Sequence, residues 1–166
     1  MSEPFYGKYR GIVTDIQDPL MQGRIRARVP EVLGDEESGW ALPCLAFGGS
    51  RMGLFVLPAV GSAVWMEFEH GDPDYPVWAG SWFGSSTDMP SDLMAPPYKK
   101  TMLVTESGHS ITLDDTPGAG GITLKTSGGQ KIVLTSTGIE IDSGTGAVIK
   151  LAGIQVTINN GALEVS

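Results

Sequence analysis

The chain has 166 residues, 41% of them apolar, which is room for one average domain or two small ones and ordinary for a soluble globular protein. Its net charge of −8 is spread along the chain, with six basic and eleven acidic residues up to position 83 and five and eight beyond it. Neither half is basic enough to hold a phosphate backbone through clustered Lys and Arg. A single cysteine, Cys44, excludes an intramolecular disulfide, and its neighbours Leu42, Pro43 and Leu45 predict a buried, inert thiol. The first residues, Met1 to Tyr6, lack a basic region ahead of an apolar core. No stretch approaches the roughly 18 apolar residues of a spanning helix, so synthesis in the cytoplasm without a secretion address is expected. With 23 Gly and 11 Pro among short apolar stretches, the chain reads as all-β, many strands separated by turns.

From Tyr6 to Phe83 short alternating segments are sharply punctuated. Ile12, Thr14 and Ile16 alternate with Val13 and Asp15 until Asp18-Pro19 breaks the run. Residues 24–29 form the cleanest alternation, with Ile25, Ala27 and Val29 on one face and Arg24, Arg26 and Arg28 on the other, the pattern of a half-buried strand. Residues 30–39, with Asp35, Glu36 and Glu37, read as an exposed loop or short helical turn, and 40–45 return to apolar character. After a loop containing Gly48-Gly49, residues 62–69 alternate again. Residues 71–76 carry turn chemistry, and 77–83 make a last strand. About five short strands in this length is the scale of a small closed barrel, giving a barrel domain at 1–83. Residues 84–100, rich in Ser, Asp, Pro and Met, read as a linker.

From 101 to 166 the chain is repetitive. A glycine followed by a short alternating aliphatic strand recurs: Gly108 before Ile111 and Leu113, Gly121 before Ile122 and Leu124, Gly129 before Ile132 and Leu134, Gly138 before Ile139 and Ile141. The series continues with Gly146 before Ile149 and Leu151, Gly153 before Ile154, Val156 and Ile158, and Gly161 before Leu163 and Val165. Each repeat supplies one strand, whereas a single-chain triangular solenoid needs three per coil. A three-sided prism closes if each side comes from a different chain, so a homotrimeric β-prism is expected. Its axis would be lined by the Ile, Leu and Val positions, with Thr112, Thr123, Glu140, Lys150 and Glu164 turned to water. The alternative is a monomeric antiparallel meander curled into a barrel, against which stands the scarcity of Asn-Gly or Asp-Gly turns, Asn160-Gly161 being the one instance.

The segments at 9–13 (Tyr9 to Val13), 18–19, 23–30 (Gly23 to Pro30), Trp40, 58–65 (Pro58 to Trp65) and 68–80 (Phe68 to Gly80) resemble the OB-fold domain of the phage baseplate assembly protein V family. A similar domain occurs in the valine-glycine repeat spikes of type VI secretion. With the repeats, the resemblance covers almost the whole chain. It implies an OB-fold barrel followed by an intertwined homotrimeric β-prism, a triple-stranded β-helix. Such a trimer forms the central spike of a contractile tail or injection machine, a particle in which the barrel end meets the tube or hub and the prism points at the target membrane. Two departures matter. The linker is too short for the lysozyme domain that some spikes insert there. The histidines, His70 and His109, do not form the axial His-x-His metal site of some short spikes, so no metal or other cofactor is expected. The sequence ends in repeat register at Leu163, Val165 and Ser166, where a separate conical tip protein of the proline-alanine-alanine-arginine (PAAR) repeat type is expected to dock.

Other candidate chemistry is weaker. Arg24, Arg26 and Arg28 with Trp65, Trp78 and Trp82 carry the residue types of an OB-type single-stranded nucleic-acid surface, the competing reading, but Glu67 and Glu69 are placed to neutralise the arginines across strands. Asp72 and Asp74 read as turn residues rather than calcium ligands. His109 with Ser110 and Asp114 or Asp115 brings triad residue types close only in sequence. Residues 118–121 lack the Lys and Ser/Thr of a phosphate loop and read as an enlarged turn. No constellation points to catalysis, and no enzymatic activity is expected.

Overall fold

The alternation at 24–29 sets the geometry of the N-terminal half: Ile25, Ala27 and Val29 are all fully buried, while Arg26 and Arg28 point outward. In the computed structural model, which describes residues 4–93, 96–159 and 162–165, the chain forms two compact units, Met1–Asp88 and Met89–Ser166. The first contains β1 (Tyr9–Asp15), β2 (Arg26–Arg28), the single-turn α1 (Pro30–Leu33), β3 (Leu42–Pro43), a small hairpin of β4 (Gly48–Gly49) and β5 (Met52–Gly53), β6 (Ala63–Phe68) and β7 (Pro76–Ser81). Sheet order is β2-β1-β6-β7-β3, antiparallel except for the parallel β3–β7 pair. The chain leading into β3 closes the ring on β2, through Ile25 and Ala41 exchanging backbone bonds of 3.2 and 2.8 Å. These bridges curl the sheet into the partly open barrel of an OB-fold.

Inside the barrel sit Val13, Ile25, Ala27, Val29, Ala41, Val64, Met66, Phe68 and Trp78. Gly11 is dictated by this packing, since a Cβ there would come 2.8 Å from Met66 Cγ. Trp78 is buried with its Nε1–H donating to Gly23 O at 3.2 Å, so it belongs to the core rather than to any exposed stacking surface. Cys44, expected buried, is exposed. It lies beyond the end of β3, where its N–H bonds Trp78 O at 2.8 Å and its side chain turns away from the core that Ala41 enters.

The second unit is an eight-stranded antiparallel sheet in chain order: β8 (Lys100–Val104), β9 (Ser110–Asp114), β10 (Gly121–Lys125), β11 (Lys131–Thr135), β12 (Gly138–Asp142), β13 (Val148–Ala152), β14 (Gln155–Ile158) and β15 (Leu163–Val165). It is a meander, yet the described turns between β8 and β14 are not Asn-Gly hairpins; Asn160-Gly161 lies outside the described residues. Three share a five-residue form, Thr105–His109, Thr126–Gln130 and Ser143–Ala147, in which the first N–H donates to the last carbonyl at 2.9 Å. Glycine at the fourth position has φ of 90°, 94° and 111° at Gly108, Gly129 and Gly146, a region costly for other residues. These three repeat glycines therefore mark turns, whereas Gly121 and Gly138 are the first paired residues of β10 and β12. β8 lacks a preceding glycine, and no repeat announced it.

Ser38 is a buried polar side chain in the barrel; its hydroxyl accepts from Ala27 N–H at 3.1 Å and donates to Gly39 O at 2.8 Å. Ser38→Ala strands the buried Ala27 N–H and should destabilise the barrel by about 1–3 kcal/mol, read as a lower denaturation midpoint of Trp fluorescence.

Candidate functional site: the aliphatic face of the C-terminal sheet

Strand register converts the sequence repeats into two continuous rows. One runs Leu103, Ile111, Leu124, Ile132, Ile141, Ile149, Ile158, Leu163, each directly opposite the next. The other runs Thr101, Leu113, Ile122, Leu134, Ile139, Leu151, Val156, Val165. Period-two alternation places both rows on one face. The ten aliphatic residues of β9–β13 in these rows are 37–45% exposed, with no second layer over them among the described residues. Val156 and Ile158 are half-buried. On this face Leu103, Ile111, Leu124, Ile132 and Ile141 line a groove of about 500 Å³.

Ile154 departs from the expected pattern. It occupies the β13–β14 turn beside Gly153 (φ 58°) and is 92% exposed, because β14 starts only at Gln155. Leu103, unnoticed in the sequence, extends the first row by one strand. At the end of the sheet Leu163 is exposed; the side chain of Val165 and all of Ser166 lie outside the described residues.

The opposite face carries the row Met102, Thr112, Thr123, Val133, Glu140, Lys150, Thr157, Glu164. Thr112, Thr123 and Glu140, expected in water, are half-buried, while Lys150 is exposed; the side chain of Glu164, also expected in water, lies outside the described residues. Long charged side chains lie across the strands: Lys131 Nζ is 2.9 Å from Glu140 and 3.8 Å from Asp142, and Lys150 Nζ is 3.5 Å from Glu140. Without these acids the directly opposed Lys125 and Lys131 would repel unscreened. The hydrogen bond from Lys131, opposed by partial burial, holds the Glu140 carboxyl below its ordinary range, and the same bond raises Lys131. Asp114 is lowered first by hydrogen bonds from Thr116 and further by Lys100, 3.8 Å away.

The stacked turns brace one edge. Ser127 N–H donates to His109 Nδ1 at 3.2 Å, joining the first turn to the second, and a Cβ on Gly144 of the third would meet Gly129 C at 3.0 Å. His109 is thus occupied in the turn column. Ser110 and Asp114 occupy opposite ends of β9, about 13 Å apart at 3.3 Å per residue, so these triad residue types do not converge.

In the barrel, Arg24 is bonded to Asp18 through Nε (3.0 Å) and Nη2 (2.6 Å), and Arg26 lies 3.7 Å from Glu37. Both guanidinium groups stand over the Trp40 ring, at 5.7 and 5.6 Å. Their partners are therefore Asp18 and Glu37, not the expected Glu67 and Glu69; Glu67 instead pairs with Lys8. Asp18 also accepts from the N–H of Leu20, Gln22 and Arg24, and the Arg24 bond is the main reason its carboxyl is held far below the usual range. With two arginines engaged and Trp78 in the core, a basic stacking groove for nucleic acid is not favoured. Asp72 caps a tight turn, accepting from Asp74 N–H at 3.0 Å. Among the described residues no three acidic, His or Cys side chains converge as a metal site, and no helix is long and apolar enough to cross a membrane.

Carboxylates with lowered pKa stabilise the folded sheet above their unfolded pKa, and that contribution is lost as pH falls through the folded value. Thermal stability of the sheet should therefore fall on acidification through the range where Glu140 and Asp114 protonate, and Glu140→Gln should make this dependence shallower. Circular dichroism melts between pH 7 and 3 read both.

Residues 9–83 match the type VI secretion system/phage-baseplate injector OB domain, and residues 100–164 match the phage baseplate V C-terminal trimerisation domain. The actin cross-linking toxin VgrG1 of Vibrio cholerae serotype O1 is 36% identical over 76 residues, 45% of this chain and 7% of that protein. The type VI secretion system spike protein VgrG5 of Pseudomonas aeruginosa is 34% identical over 87 residues, 52% of this chain and 10% of that protein. The matched stretch is thus a tenth or less of either relative. With a barrel and an aliphatic-faced sheet matching these two domains in order, the chain belongs to the phage baseplate V family of spike proteins, to which the type VI secretion spikes are related.

Proposed function

We propose that three copies of this chain form the central spike of a contractile phage tail or injection particle, with residues 1–83 as barrels, 84–100 as linkers and 101–166 as an intertwined β-prism needle. The observation that carries this reading is the pair of aliphatic rows left 37–45% exposed in a single chain. Each Ile or Leu contributes roughly 1.5–3 kcal/mol only when fully buried, and two further copies presenting the same face supply the missing layer. The core of the prism would be Ile111, Leu113, Ile122, Leu124, Ile132, Leu134, Ile139, Ile141, Ile149, Leu151, Val156 and Ile158, with Leu103 added and Ile154 omitted. The match to a trimerisation domain supports the same assembly.

The function is mechanical rather than catalytic. Strands wrapped about an axis share axial load over many hydrogen bonds, and sheath contraction would drive the needle through the target membrane. The barrel end meets the tube or hub, and Leu163, Val165 and Ser166 meet a conical tip protein of the PAAR-repeat type. Assembly takes place in the bacterial cytoplasm before incorporation into the particle.

The purified chain should run near 53 kDa, three times 17.6 kDa, should survive dilution, and should resist SDS and protease. Ile132→Lys combined with Leu134→Lys charges both rows on one strand and should abolish the trimer in sedimentation velocity. A stable, soluble wild-type monomer would overturn the proposal.

A further inference from the structure

Between Trp40 and Met66 the only charged residue is Arg51, in a chain of net charge −8. This neutral stretch forms the β4–β5 hairpin and the non-strand segment that follows it, residues 54–62. Phe47, Met52, Leu54, Phe55, Val56 and Val60 there are 50–63% exposed. Their number and proximity exceed the scattered apolar residues of an ordinary surface. The segment is nonetheless fixed in place. Leu54 N–H bonds Phe47 O at 3.0 Å, Gly61 N–H bonds Val13 O at 2.9 Å, and the Phe55 ring covers Gly23, where a Cβ would come within 2.7 Å. Between these anchors, the N–H groups of Phe55, Val56, Leu57, Ala59 and Val60 have no acceptor among the described residues. An ordered, apolar segment with free backbone donors presents an edge for another chain.

We infer that this segment and hairpin are the surface on which the barrel packs against the barrel of a neighbouring copy of the same chain. The inference rests on the trimeric reading above. Two observations select a sister barrel as the occupant. A chain that carries a trimerisation domain tethers three barrels to one another, which raises their effective concentration to about the millimolar range, so that even a weak contact is populated. The barrel half is also acidic, with eleven acidic and six basic residues. Like-charged copies repel across most of their surface and meet most favourably where charge is nearly absent. In a closed three-fold ring such a contact is heterologous, the segment of one barrel lying against a different face of the next.

The test is amide hydrogen exchange on the purified full-length chain alone, with native mass measured on the same sample. Amides of Phe55, Val56, Leu57 and Val60 should exchange at least about tenfold more slowly than free-peptide rates, although none has an acceptor among the described residues of its own chain. Val56→Asp should leave the mass near 53 kDa and return these amides to near free-peptide rates; Leu54→Asp provides the same readout should the first variant misfold. A trimer whose segment exchanges freely would overturn this inference while leaving the spike reading intact. So would a folded variant that keeps full protection, or protection that appears only when another baseplate protein is added. A monomer would overturn both.

Discussion

An antiparallel sheet with Ile and Leu at every second position on one face has to find a second apolar layer, and the described residues of the sheet unit supply none. That constraint governs the C-terminal half. The eight strands are hydrogen-bonded to their neighbours in chain order, so backbone groups are satisfied locally, while the aliphatic rows are left 37–45% exposed. Register is held firmly, because a slip of one residue would move both rows to the charged face and break the Lys131–Glu140–Lys150 ladder. Local bonding thus builds the strand array, and association supplies the hydrophobic stabilisation.

The barrel solves the same problem within one chain. Closure of β2 onto the segment leading to β3 lets nine apolar side chains face each other across a common interior, and each is nearly or fully buried. The two halves therefore differ in what they need from outside. One has a finished core and an exposed neutral segment, and the other has ordered strands and no core.

The polar face of the sheet contributes specificity. Aliphatic rows alone would tolerate several registers between copies, since Ile and Leu alternate with little variation. The ladder of Lys131, Glu140, Asp142 and Lys150, and the stacked turns bridged by Ser127 and His109, make the strands of each chain unequal along its length.

Much of this was legible in the sequence because it depends on local periodicity. Alternation at 24–29 identified a strand with Ile25, Ala27 and Val29 inward, and the glycine-spaced repeats identified the strands that carry the aliphatic rows. What the tertiary structure alone decided depends on residues distant in sequence. Ile154 continues the alternating parity but falls in a turn, because pairing with β13 begins at Gln155. Cys44 lies in an apolar neighbourhood yet points outward, because the strand ends one residue earlier and its N–H is drawn to Trp78. Arg24 and Arg26 took Asp18 and Glu37 as partners because closure of the ring, not strand alternation, brings those carboxylates alongside. Periodicity fixes which face a residue shares with its neighbours in the strand; where strands end and which distant groups meet are decided by hydrogen-bond pairing and closure, which no local pattern encodes.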